Sequence, residues 1–112
     1  MEIVKKGWGC EKIIHNSDGY CGKILCFNKG KKCSYHHHIV KTETFYCVGK
    51  ILLRYGYDDD ISNAKEIVLE TGDHFHVPVG LRHQMEAIED TELFEFSTTD
   101  YPEDSIRIVR GD

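Results

Sequence analysis

Two histidines one residue apart, His36 and His38, lie within Ser34-Tyr35-His36-His37-His38-Ile39-Val40, and their spacing narrows the choice of fold more than any other feature. Residues two apart leave the same face of an extended strand, whereas on a helix they diverge, so the pair is a chelate only if the segment is β. Glu43 follows after four residues, room enough for a turn or a strand bend, and adds an anionic oxygen. A second segment, Gly72 to His83, contains the rigid turn Pro78-Val79-Gly80 and delivers His83, a third imidazole. Neutral nitrogens from His36, His38 and His83 with a hard oxygen from Glu43 suit one divalent transition metal: manganese, iron, nickel, cobalt or zinc. The plainer reading is a solvated polar run or a tag. The run is short and internal, an apolar stretch follows it, and it is paired with a second glycine-bounded histidine segment.

The rest of the chain reads as short strands between turn residues. Strands are expected at Ile3 to Lys5, Cys10 to His15, Tyr20 to Phe27, Glu66 to Leu69, Phe75 to Val77, Thr91 to Ser97 and Ile106 to Val109. Thr44 to Tyr55 is the longest β-prone stretch, with Gly49 expected at a bulge or bend. After the Pro-Gly turn, His83 and Met85 share one strand face, and Gln84 and Glu86 the other. No window carries a 3.6-residue apolar repeat of helix length. Eight or more short strands in 112 residues predict a single all-β domain over residues 1–112, closed as a barrel or jelly roll that leaves few open edges.

A formal charge of −5, with no basic stripe, makes nucleic acid a poor partner and leaves a small polar or anionic molecule as the expected one. Arg82, Lys41, Tyr35 and Tyr46 are the expected lining of the mouth. The longest apolar runs are strand-sized, so no membrane span is expected and a cytoplasmic protein is. Cys10, Cys21, Cys26, Cys33 and Cys47 form an odd set without C-x-x-C spacing, which predicts reduced thiols. Trp8, between Gly7 and Gly9, reads as a lid over a barrel end or a dimer contact, and with Ile106 and Val109 it predicts a homodimer.

These segments resemble the two characteristic motifs of the cupin superfamily. Gly30, His36, His38 and Glu43 match the first, with Gly49 one residue early; Gly72, Pro78, Gly80 and His83 match the second, with Ala87 at its asparagine position. The resemblance implies a double-stranded β-helix, the jelly-roll barrel, and a metal held by the matched histidines and glutamate.

A narrower similarity is to the C-terminal cupin domain of type II mannose-6-phosphate isomerases. It rests on Lys6-Gly7-Trp8-Gly9, on Lys23 to Gly30, and on Tyr101-Pro102-Glu103-Asp104-Ser105-Ile106-Arg107, although the histidine-to-glutamate gap is longer here. It implies a metal-dependent aldose-ketose isomerase acting on a sugar phosphate, with Glu86, His76 and Tyr46 as candidates for proton transfer. A non-haem iron dioxygenase and a cupin that binds a sugar or anion without turnover are the alternatives.

Overall fold

A computed structural model describes residues 1–112, and it is built almost wholly from antiparallel strands. In chain order they are β1 (Glu2–Lys6), β2 (Gly9–Ser17), β3 (Tyr20–Phe27), β4 (Tyr35–His38), β5 (Glu43–Val48), β6 (Lys50–Gly56), β7 (Lys65–Glu70), β8 (His74–Val77), β9 (Arg82–Ala87), β10 (Thr91–Ser97) and β11 (Ser105–Val109). Two sheets face each other, one in the order β1-β2-β3-β10-β5-β8 and the other β11-β4-β9-β6-β7. This is the double-stranded β-helix, or jelly roll. The only helical turns are single 3-10 turns at Ile61–Asn63 and Pro102–Asp104, and no helix is long and apolar enough to cross a membrane.

The long strand expected over Thr44 to Tyr55 is two strands belonging to different sheets, and Gly49 is the corner between them. Its φ is +130°, and a Cβ there would stand 2.6 Å from Thr91 Oγ1 and 2.9 Å from Asp90 O. Only glycine meets both demands. The corner lets β5 face β10 and β8 while β6 pairs with β9 and β7.

Strand alternation sorts the side chains. Cys21, Leu25 and Phe27 of β3, Phe45 and Cys47 of β5, Ile51 and Leu53 of β6, Met85 and Ala87 of β9 and Leu93 of β10 point inward and are buried. The register aligns Leu93 with Leu25 and Cys47, so apolar rows from neighbouring strands fill one end of the barrel. The adjoining rows are polar: Glu95 is aligned with Lys23, and Ser97 with both Cys21 and Glu43. The inward stripe therefore changes from hydrocarbon to charge along the barrel axis, and the charged end opens into a cavity.

Candidate metal centre

The polar end contains a cavity of about 840 Å³, with His36, His38, His83, Glu43, Lys41, Lys23, Glu95, Asp100, Trp8 and Arg107 among its lining residues. His36 and His38 leave the same face of β4, as their spacing requires, and β9 places His83 directly opposite His36. The imidazole centroids are 4.4 Å apart for His36 and His83, 5.1 Å for His36 and His38, and 5.5 Å for His38 and His83. One nitrogen from each ring falls within 4.8 Å of the others.

Each ring is oriented through its remote nitrogen. His36 Nδ1 is 2.9 Å from Ser34 O, His38 Nδ1 is 3.2 Å from Asp104 O, and His83 Nδ1 is 2.9 Å from Leu81 O. A carbonyl oxygen only accepts, so each Nδ1 carries the proton and each Nε2 turns a lone pair toward the common centre. This is the outer support that metal-ligating histidines require.

Glu43 lies beside two of the three rings. Its Oε1 is 3.0 Å from His83 Nε2 and 3.7 Å from His38 Nε2, and its Oε2 is 2.9 Å from Lys41 Nζ. His83 Nε2 is fully buried and has no hydrogen-bond partner. A lone pair and a carboxylate oxygen 3.0 Å apart repel unless a cation lies between or beside them, so the residues present fit a metal ion. Burial opposes ionisation of Glu43, but its close contacts, the Lys41 ammonium among them, outweigh it and hold the carboxyl well below its ordinary value. Burial and the neighbouring His83 hold His36 well below its usual imidazole value, which keeps that ring neutral and able to ligate.

A buried ionic network adjoins the cluster. Lys41, 4% exposed, reaches Glu43 at 2.9 Å, Asp100 at 3.0 Å and Glu95 at 3.2 Å. Lys23, 6% exposed, reaches Asp100 at 2.6 Å and Glu11 at 3.1 Å, and Lys6 meets Glu11 from the rim at 3.2 Å. Within this network three lysines thus face four carboxylates. The carboxyl of Glu95 is raised by burial and by the charge of Glu43. Sequence reasoning missed Lys23, Glu95 and Asp100. For Lys23 a signal was present: it occupies an inward position of a strand whose other inward residues, Cys21, Leu25 and Phe27, are apolar.

The three proton-transfer candidates lie elsewhere. Glu86 is on the outer face of β9, 2.8 Å from Arg54 Nη1; His76 is exposed, with Nδ1 3.0 Å from Thr44 Oγ1; Tyr46 is 42% exposed on the outer face of β5, edge-on to Phe94. None lines the cavity. Strand parity is the reason, since each sits one residue out of phase with an inward neighbour. Arg82 is also outside the cavity lining, its Nε donating to Asp59 Oδ1 at 2.8 Å and its Nη1 to Gly80 O at 2.8 Å. The Tyr35 hydroxyl is turned the same way and donates to Asp58 O at 3.1 Å. Of the expected mouth residues, Lys41 alone lines the cavity.

Trp8 stacks on Phe27, with centroids 4.2 Å apart, and lines the cavity wall. Cys33 also lines it, but burial pushes its thiol up to about 12 and its sulfur accepts the Met85 amide, so it supplies no thiolate. All five cysteines are free.

Fold and site together define a cupin-type β-barrel with a histidine cluster suited to one metal ion. Known structures show the same architecture. KdgF from Halomonas sp. superposes with a TM-score of 0.77 at 17% identity, over 92% of this chain and 92% of that one. The capsular polysaccharide assembling protein CapF from Staphylococcus aureus reaches 0.82 at 18% identity, over 96% of this chain and 31% of that one. A mutant of oxalate decarboxylase OxdC from Bacillus subtilis reaches 0.78 at 16% identity, over 95% of this chain and 30% of that one. The chain therefore spans nearly all of KdgF and about a third of the other two. No family model and no curated protein matches the sequence. The likeness is one of fold.

Proposed function

We propose that this chain is a metal-dependent cupin that acts on a small oxygen-rich anion, through proton transfer next to a carbonyl group as in aldose-ketose isomerisation of a sugar phosphate or sugar acid. The observation that carries the reading is the convergence of one nitrogen each from His36, His38 and His83, within 4.8 Å of one another in the cavity, with Glu43 Oε1 beside His83 and His38. His36, His38, His83 and Glu43 are the proposed ligands. A divalent metal held there supplies Lewis acidity to substrate oxygens and makes the adjacent C–H more acidic.

The chain's own groups do the rest. Lys41 ties Glu43 to Glu95 and so holds the carboxylate ligand in one orientation. Glu95 is the proposed proton carrier, in place of the outward-facing Glu86, His76 and Tyr46. It lines the cavity, and its Oε2 is held by Lys41 and Ser97 while Oε1 is left without a protein partner. Its raised carboxyl brings it nearer the range in which an acid-base group exchanges protons at neutral pH. A homodimer belongs to the same reading. β1, β8, β7 and β11 are sheet edges, Phe96 and Ile106 are 60% and 39% exposed, and antiparallel edges pair readily across a two-fold axis.

The test has two readouts. Protein purified without chelator should contain about one metal per chain, since one ligand set is present, and the double variant His38→Ala, His83→Ala should contain none. In D₂O, the metal-loaded protein should introduce deuterium next to the carbonyl of a sugar phosphate or sugar acid, and Glu95→Gln should not. Equal metal content in the double variant would overturn the ligand assignment, and absence of deuterium across a panel of such substrates would overturn the proton-transfer chemistry.

A further inference from the structure

The cations around the cavity fall into two groups. Lys6, Lys23 and Lys41 are each committed to interior carboxylates. Arg54 is committed to Glu66 and Glu86, and Arg82 to Asp59, both on the outer side. Arg107 and Arg110 line the same cavity as the histidines; like Lys5, which also lines it, both are exposed and neither forms an ion pair or a side-chain hydrogen bond with the protein.

Arg107 is the better placed of the two. β11 runs antiparallel to β4 with Arg107 directly opposite His36. Side chains at directly opposed positions leave the same face with Cβ atoms about 4.5–5.5 Å apart. His36 aims at the metal centre, so Arg107 shares its face, while Ile106 and His37 take the other side. Arg107 is exposed on the cavity side of β11 with no protein partner, so its fork is free to meet an anion entering the cavity.

We infer that Arg107 is the anchor for the ligand's anionic group, so that a small hydroxy or oxo acid lies with its carboxylate or phosphate on the guanidinium and its hydroxyl or carbonyl oxygens toward the histidines. The short step from Arg107 to His36 limits the ligand to a compact molecule, with its anionic group only a few bonds from the chelating oxygens. Arg110 adds positive potential at the mouth, where it attracts the same charge. This inference rests on the functional reading above, but it concerns binding alone and does not need turnover.

Calorimetry on the metal-loaded full chain tests it, with glucose 6-phosphate as the phosphate probe, gluconate as the carboxylate probe and glucose as the neutral one. The expected result is that at least one anion binds more tightly than glucose. Arg107→Gln should weaken that anion about tenfold or more, as loss of a bidentate charge-assisted contact does, with metal content and glucose binding unchanged. Arg107→Lys, which keeps the charge and loses the fork, should fall between, and Arg82→Gln should match wild type. Whichever anion binds identifies the group recognised. If wild type binds an anion and Arg107→Gln binds it equally well, the anchor is wrong while the functional reading stands. If wild type binds neither anion, both are overturned.

Discussion

Replacing Lys41 by Met tests whether the interior network holds the site together or merely fills it. Lys41 is 4% exposed and is the shared cation of Glu43, Glu95 and Asp100, at 2.9, 3.2 and 3.0 Å. Methionine is of similar length and apolar, so the change removes the charge without opening a large cavity. It leaves buried carboxylates facing one another, and breaking a buried pair from one side costs about 3–5 kcal/mol. With an unfolding entropy of roughly 2.1 cal/mol/K per residue, a chain of 112 residues loses about 4 °C of Tm per kcal/mol. The expected drop in Tm is therefore roughly 13–21 °C at pH 7. Thermal unfolding of metal-free protein, followed by circular dichroism, measures the drop in Tm, and urea unfolding followed by tryptophan fluorescence measures the free-energy loss. The pH dependence follows from the same contacts. Burial opposes ionisation of Asp100, but Lys41 and Lys23 hold its carboxyl below the ordinary value, so its contribution is present above the unfolded carboxylate range and is lost as pH falls through the folded value. The gap between Lys41→Met and wild type should therefore narrow in acid, as the abandoned carboxylates take up protons. A loss under 1 kcal/mol at pH 7, or a gap that widens in acid, would refute the reasoning.

Two further outcomes follow from the structure. Asp104 accepts the backbone N–H groups of Ile39, Val40 and Lys41 at 2.8, 3.0 and 2.9 Å, which shapes the loop joining His38 to Glu43. Burial works against ionisation there, but these donors hold the carboxyl below its ordinary value. The stabilisation is thus present above the unfolded carboxylate pKa and is lost as pH falls through the folded one. Asp104→Asn should cost about 1.5–3 kcal/mol at pH 7, the worth of one charge-assisted hydrogen bond, and should converge with wild type in acid; parallel stability curves down to the acid limit would contradict this. For the dimer, light scattering at micromolar concentration should return twice the 12.9 kDa chain mass, and a single-chain mass would remove that part of the proposal.

The sequence by itself determined the strand class and most of the histidine centre. Period-two alternation is a local property, so His36 and His38 had to share a face, and the Pro78-Val79-Gly80 turn had to release His83 at the start of a strand. Pairing is not local. Only the folded sheets decided that His83 lies opposite His36, that Arg107 also lies opposite His36 on its other flank, and that the segment from Thr44 to Tyr55 splits at Gly49 between two sheets. Parity errs by a whole face for each residue of slip, which is why Glu86, His76 and Tyr46 could be taken for site residues and stand outside the barrel. Burial of charge was the least legible feature. Lys23 and Glu95 sit one residue from apolar neighbours in sequence, and nothing along either strand announces a partner. Their register match places them face to face across β3 and β10, and Asp100 and Lys41 close the network from loops distant in the chain. An ion pair is stable in a protein interior only when both partners arrive together, and that condition is met by tertiary structure alone.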